Sequence, residues 1–217
     1  MRFICALIGM VFMSGVCMAS EYQLMVFGDS LSAGYRLPKE DAFYTKLQQA
    51  LHSQGYTNIV VLNESKSGET TTGGLRRLPA ALNKNPDAVL LELGINDVIK
   101  GGSMDIAQEN LQKMINEITA KNIPVMLIGM ELPALATPAA IRAFSNMYSE
   151  LAQKNGLILY PNFMKGALIF NPRMLSFDMR YVLSDGVHPN KEGVEIVVKN
   201  ILPTVIKFLQ ENGIHRN

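Results

Sequence analysis

Tryptophan is absent from this 217-residue chain, aromatic residues make up only 7% of it, and both cysteines, Cys5 and Cys17, fall near the N-terminus. Beyond position 17 the chain therefore offers neither a disulfide nor a thiol nucleophile. Charge of one sign is lacking too: the formal net charge is +1, with no basic block, which excludes the electrostatic footprint of nucleic-acid binding. No repeat or low-complexity stretch interrupts the sequence, so a single domain with no linker is expected.

Long apolar runs are also scarce. The one at the N-terminus, FICALIGMVFMSGV, follows Arg2 and precedes CMAS; at about 15 residues it falls short of the roughly 20 that span a bilayer. With Cys17 and Ala19 at the −3 and −1 positions of a cleavage site, residues 1–19 read as a secretory signal peptide, leaving a domain at residues 20–217. An uncleaved anchor is disfavoured by length, and lipid attachment at Cys17 by Val16, where a small residue is wanted. Loss of Arg2 leaves 19 basic against 19 acidic residues. The expected destination is the periplasm or the exterior, with no stable membrane insertion.

What is present is an alternation. Apolar strand-like runs (YQLMVFGD, NIVVLNES, DAVLLELG, IPVMLIGM, LILYP) are separated by segments with apolar residues at helical spacing. The last of these helices, from about Asn190 to Leu209, is expected to bend or break at Pro203. Such an order implies an α/β domain of three layers, α/β/α, with about five parallel strands and right-handed crossovers. Ligands of such sheets bind at the carboxyl ends of the strands, and three of those ends read GDS, NESKSGE and LGINDV.

Four separated blocks carry chemistry: Gly28-Asp29-Ser30-Leu31, Ser67-Gly68-Glu69, Gly94-Ile95-Asn96-Asp97 and Asp185-Gly186-Val187-His188-Pro189. Acyl transfer needs a hydroxyl nucleophile, a base, a group that orients the base, and donors for the developing oxyanion. Ser30 supplies the first, His188 the second and Asp185, three residues earlier in the same loop, the third. The backbone N–H groups of Ser30 and Gly68 and the Asn96 amide form the expected oxyanion hole, with Gly68 letting the backbone approach a substrate. Each residue alone has an ordinary explanation: Ser30 as a helix cap, Asn96 and Gly68 as turn residues. Of the other histidines, His52 lies at a polar helix end and His215 in the tail. Only together do the four blocks point to catalysis.

These blocks resemble those of the SGNH (GDSL) hydrolase family, over the stretch from Leu24 to about Ile206. GDSLSAGYRL, SGETTTGGLRRLPAAL, LELGINDV and DGVHPN carry a closer match to its esterase, thioesterase and lysophospholipase branch. The resemblance implies a flavodoxin-like fold, a Ser-His-Asp mechanism with no metal and no cofactor, and acyl esters, thioesters and lysophospholipids as small-molecule substrates. It carries over Ser30, Asp185 and His188 as catalytic residues and Ser30, Gly68 and Asn96 as oxyanion donors, with Asp29 and Asp97 as loop-fixing residues. One departure stands beside the third block, where relatives commonly have a second glycine and this chain has Ile95. The segment MELPALATPAAIRAF matches a loop that adjusts to the acyl chain in relatives. Within residues 164–184, an irregular segment, Met174, Leu175, Phe177 and Met179 either line an acyl site or cover the core.

Three other readings compete. A carbohydrate O-deacetylase shares the chemistry, but flat aromatic platforms for sugars are scarce here. A flavodoxin-like module could cradle phosphate with GDSLSAG at a helix start, yet gives no reason for Asp185 and His188 in one loop. An inactive scaffold has no lost position to recommend it. A monomer is expected, since no extra domain or exposed apolar helix calls for a partner.

Overall fold

A computed structural model describes residues 21–132, 136–171 and 176–216. Residues 1–20, the expected signal peptide among them, lie outside the described residues.

Five parallel strands form the central sheet: β1 (Tyr22–Gly28), β2 (Ile59–Asn63), β3 (Ala88–Glu92), β4 (Val125–Ile128) and β5 (Leu159–Tyr160), in the order β2-β1-β3-β4-β5. In register, Leu24 pairs with Val61 of β2 and Val26 with Leu90 of β3. All of β3 and β4 is buried, as a sheet covered on both faces requires.

The helices are α1 (Ser30–Ala33), α2 (Phe43–Ser53), α3 (Thr71–Leu82), α4 (Ile95–Ile99), α5 (Met104–Thr119), α6 (Pro138–Asn155) and α7 (Lys191–Glu211). Helical spacing of apolar residues decides which faces are buried: Phe43, Leu47 and Leu51 in α2, and Leu111, Met114, Ile115 and Ile118 in α5. Helix α2 packs on α7, and α3 on α5, which in turn meets α6. Thr70, Ser103, Thr137 and Asn190 each cap the helix that follows, accepting from a backbone N–H in its first turn. Among the described residues no helix is long and apolar enough to cross a membrane.

Three features differ from the sequence reading. Helix α7 is not interrupted at Pro203: Ile201 before it and Val205 after it are both buried, and that burial outweighs the lost backbone bond. Residues 164–184 contain a small antiparallel pair, β6 (Ile169–Asn171) and β7 (Ser176–Asp178), followed by a 3-10 turn at Met179–Tyr181. Two single-turn helices, α1 and α4, open directly from the ends of β1 and β3.

The tightest contact in the sheet lies at Gly28, where a Cβ would meet Ser32 Oγ at 2.2 Å, Glu92 Oε2 at 2.4 Å and the Glu92 carbonyl at 2.8 Å. Strands β1 and β3 can close to this distance only without a side chain there. Gly28→Ala is expected to cost about 1–3 kcal/mol of stability, measured by urea denaturation, and to lower activity in the fraction that still folds.

Candidate active site

Asp29 separates the end of β1 from the start of α1. It caps the helix, its Oδ1 accepting the Leu31 N–H at 2.9 Å, so the cap is Asp29 and Ser30 is the first helical residue. As such, the Ser30 N–H has no carbonyl partner inside its own helix. The helix ends after one turn at Gly34, in the left-handed region with φ 78°; a Cβ there would lie 2.5 Å from that of Ala42.

From the far end of the chain comes the histidine loop. Asp185 Oδ1 accepts the N–H groups of Val187 and His188, both at 3.0 Å. That leaves Oδ2 for the imidazole, 2.9 Å from His188 Nδ1. Nε2 of the same ring lies 2.8 Å from Ser30 Oγ. Partial burial pushes the Asp185 carboxyl up, but the His188 and Val187 N–H groups and the imidazole outweigh it and hold the group below its ordinary value. With Nδ1–H donating to Asp185, Nε2 is free to accept from the serine hydroxyl. The loop is fixed behind by Asn190, which caps α7 and donates to the Arg180 carbonyl at 2.8 Å.

Tyr35 was not evident in the sequence as part of this group. Its ring centroid lies 4.5 Å from that of His188, tilted by 40°, and the Arg36 guanidinium carbon lies 5.0 Å from the centroid of the tyrosine ring. The signal that could have found it is Gly34: the left-handed turn sends the chain back so that the Tyr35 N–H donates to the Ser30 carbonyl at 3.2 Å.

Gly94, with φ 132°, turns β3 into α4, and a Cβ there would meet the Tyr148 hydroxyl at 2.5 Å. Asn96 follows, its Nδ2 donating to Asp29 Oδ2 at 3.0 Å. That bond uses one amide hydrogen and fixes which end of the amide faces Asp29. Ile95 is buried in the core. Gly68 has φ 74° and its carbonyl accepts from Lys100 Nζ at 2.6 Å. Asp97 accepts from both the N–H and the hydroxyl of Thr71, at 2.9 and 2.7 Å, tying α4 to α3. Both aspartates thus fix loops, as read from the sequence.

Of the segment 164–184, Met174 and Leu175 lie outside the described residues. Met179 is 47% exposed and does not cover the core; its Cε would lie 3.3 Å from a Cβ on Gly186, in the histidine loop. His52 instead bonds the Ile59 carbonyl through Nε2 at 2.8 Å, and His215 is exposed. Among the described residues no three His, Cys, Asp or Glu side chains group so as to hold a metal ion.

Beneath Ser30 lies a pair of fully buried carboxyls, Asp29 and Glu92. Burial pushes Asp29 up to about 7, against the bonds from Leu31 and Asn96. Burial, followed by the nearness of Asp29, pushes Glu92 well above the ordinary carboxylate range. Hydrogen counting agrees with a neutral Glu92. The Ser32 hydroxyl lies 2.7 Å from Glu92 Oε2 and 2.9 Å from Ser65 Oγ, with one proton to give. A protonated Glu92 can donate to Ser32, Ser32 to Ser65, and Ser65 to the Val26 carbonyl at 3.3 Å.

Fold and geometry together define a class: a three-layer α/β domain that brings serine, histidine and aspartate together at the carboxyl edge of a parallel sheet. Residues 26–196 match the model of the GDSL-like Lipase/Acylhydrolase family. The chain is 35% identical to Esterase TesA of Pseudomonas aeruginosa over 88% of its own length and 91% of that protein's. It is 34% identical to Thioesterase 1/protease 1/lysophospholipase L1 of Escherichia coli K12, over 80% and 78% of the two chains. A crystal structure of TesA superposes with a TM-score of 0.78 at 34% identity, covering 86% of this chain and 99% of that one. The chain belongs to the GDSL-like lipase/acylhydrolase family, and it is a hydrolase of ester bonds.

Two outcomes follow from this geometry. Tyr35→Ala should lower kcat/KM on a nitrophenyl ester roughly 2- to 10-fold, the worth of one aromatic contact, while Tyr35→Phe, which keeps the ring, should match the parent. Glu92 in the fold keeps its proton at pH values where the unfolded chain has lost it, so it contributes stability below its ordinary value that is lost as pH rises. Glu92→Gln removes this loss: between pH 5 and 8 the slope of unfolding free energy against pH should become less negative by up to about 1.4 kcal/mol per pH unit. Denaturant titrations at several pH values read it directly.

Proposed function

We propose that Ser30 is the nucleophile of an esterase and thioesterase, His188 its base and Asp185 the group that orients the base. The observation that supports this most is the unbroken line from Ser30 Oγ through both ring nitrogens of His188 to Asp185 Oδ2, at 2.8 and 2.9 Å. In this reading Nε2 takes the serine proton as Oγ attacks the acyl carbonyl. The ester or thioester bond then breaks, with the proton passed to the leaving alcohol or thiol, and water repeats the sequence to free the acid from Ser30. The Ser30 and Gly68 N–H groups and the Asn96 amide are the oxyanion donors.

Substrates are small acyl esters and thioesters, with lysophospholipids within reach. The printed names of the relatives, an esterase and a thioesterase and lysophospholipase, support that range. Residues 1–19 are the signal peptide of a periplasmic or secreted enzyme, whose domain at 20–217 acts as a monomer without cofactor or metal.

The test is hydrolysis of p-nitrophenyl esters from acetyl to palmitoyl by the mature protein and by Ser30→Ala. The variant should lose roughly 10^4-fold or more in kcat, and a mass increment equal to one acyl group should be trapped on the parent but not on the variant. A folded parent inactive on every ester, or a variant as active as the parent, would overturn the reading.

A further inference from the structure

The stretch GGLRRLPAAL supplies nothing to the line from Ser30 to Asp185, yet one of its arginines grips both segments that carry the backbone donors. Arg77 lies in α3 with its guanidinium carbon 3.9 Å from the centroid of the Phe27 ring in β1. Three of its nitrogens have three different acceptors. Nε donates to Glu69 Oε2 at 2.8 Å, Nη1 to the Glu64 carbonyl, and Nη2 to the Gly28 carbonyl at 3.2 Å.

The positions of those acceptors matter. Glu64 and Glu69 bracket the loop that bears Gly68, and Gly28 is the last residue of β1, two before Ser30. The Lys66 N–H also donates to the Gly28 carbonyl, at 3.0 Å, so loop and strand end meet directly under the guanidinium. Glu69 is buried, and Gly73 makes room for it: a Cβ there would lie 1.9 Å from Glu69 Oε1. On the solvent side Lys100 holds the Gly68 carbonyl.

Resting on the reading of Ser30 and Gly68 as oxyanion donors, we propose that Arg77 is a positioning residue that sets the spacing between their two N–H groups. Its rigid planar fork addresses three fixed acceptors at once, which a single ammonium on a flexible stem does not reproduce. Preorganised donors stabilise the oxyanion only at the correct spacing, and displacement of one weakens the transition state more than it weakens substrate binding.

The experiment compares Arg77→Lys and Arg77→Met with the parent, using Arg76→Met, an exposed arginine one position earlier, as control. On a nitrophenyl ester both Arg77 variants should lose about 10-fold or more in kcat with KM within about 2-fold, while the control stays at the parent value. Paired ester and thionoester substrates provide a readout that a general structural loss would not move. Sulfur draws less on the donors, so the ester-to-thionoester rate ratio should shrink in the Arg77 variants. A parent-like kcat in Arg77→Lys, or an unchanged ratio, overturns the proposal. Should both Arg77 variants fail to fold, Glu69→Gln loosens the same clamp with its shape kept, and an unchanged ratio there overturns it equally. Ser30→Ala separates the two readings. If it is active, the serine mechanism fails; if it is inactive while Arg77→Lys keeps the parent ratio, only the role of Arg77 fails.

Discussion

Everything at the mouth of this protein depends on how closely β1 and β3 approach at Gly28. That contact brings the Glu92 carboxyl within 3.2 Å of the Asp29 N–H and holds it against Ser32. It thereby fixes the turn from which Ser30 projects. The cost is a pair of acids buried side by side; burial pushes both upward, and a proton kept on Glu92 can enter a chain of hydroxyls ending at a strand carbonyl. The other, Asp29, then serves two donors, the Leu31 N–H and the Asn96 amide.

Around that contact the sheet divides the work. Strands β1 and β3 bring the turns of Ser30 and Asn96 together, and the loop after β2 brings Gly68, each on backbone whose position a parallel ladder or a buried ion pair determines. The histidine loop is built differently. Its Asp185 spends one oxygen on the backbone of its own loop and the other on the ring, so its internal geometry is set by contacts within the loop. A buried clamp and a self-folded loop are two separate means of placing groups to within tenths of an ångström.

Much of this was legible in the sequence, for stated reasons. Strands of the DAVLLELG kind announce a sheet covered on both faces, and they emerged as strands in the expected parallel order. Of the residues named from type and order, Ser30 and Asp185 each lie within hydrogen-bond distance of His188. Helices α1 and α4 were not seen because a single turn is too short to show a period. Pro203 does not interrupt α7, and local propensity says nothing of the burial on either side of it. Glu92 carries a signal of its own: a carboxylate inside an apolar strand run needs a buried partner. Arg77 gave none, since two of its three acceptors are backbone carbonyls and no side-chain pattern reveals those.

The separation of 158 positions between Ser30 and His188 bears on how the site is completed. The sheet through β5, and Asp29, Glu92 and Asn96 with it, lies wholly before the histidine loop in the chain. Helix α7, which Asn190 of that loop caps, packs on α2, which lies close to Ser30 in sequence. A chain that lacks loop and helix has a serine with no imidazole beside it. In the mechanism proposed above, a chain is therefore inactive until the histidine loop and the helix behind it have docked.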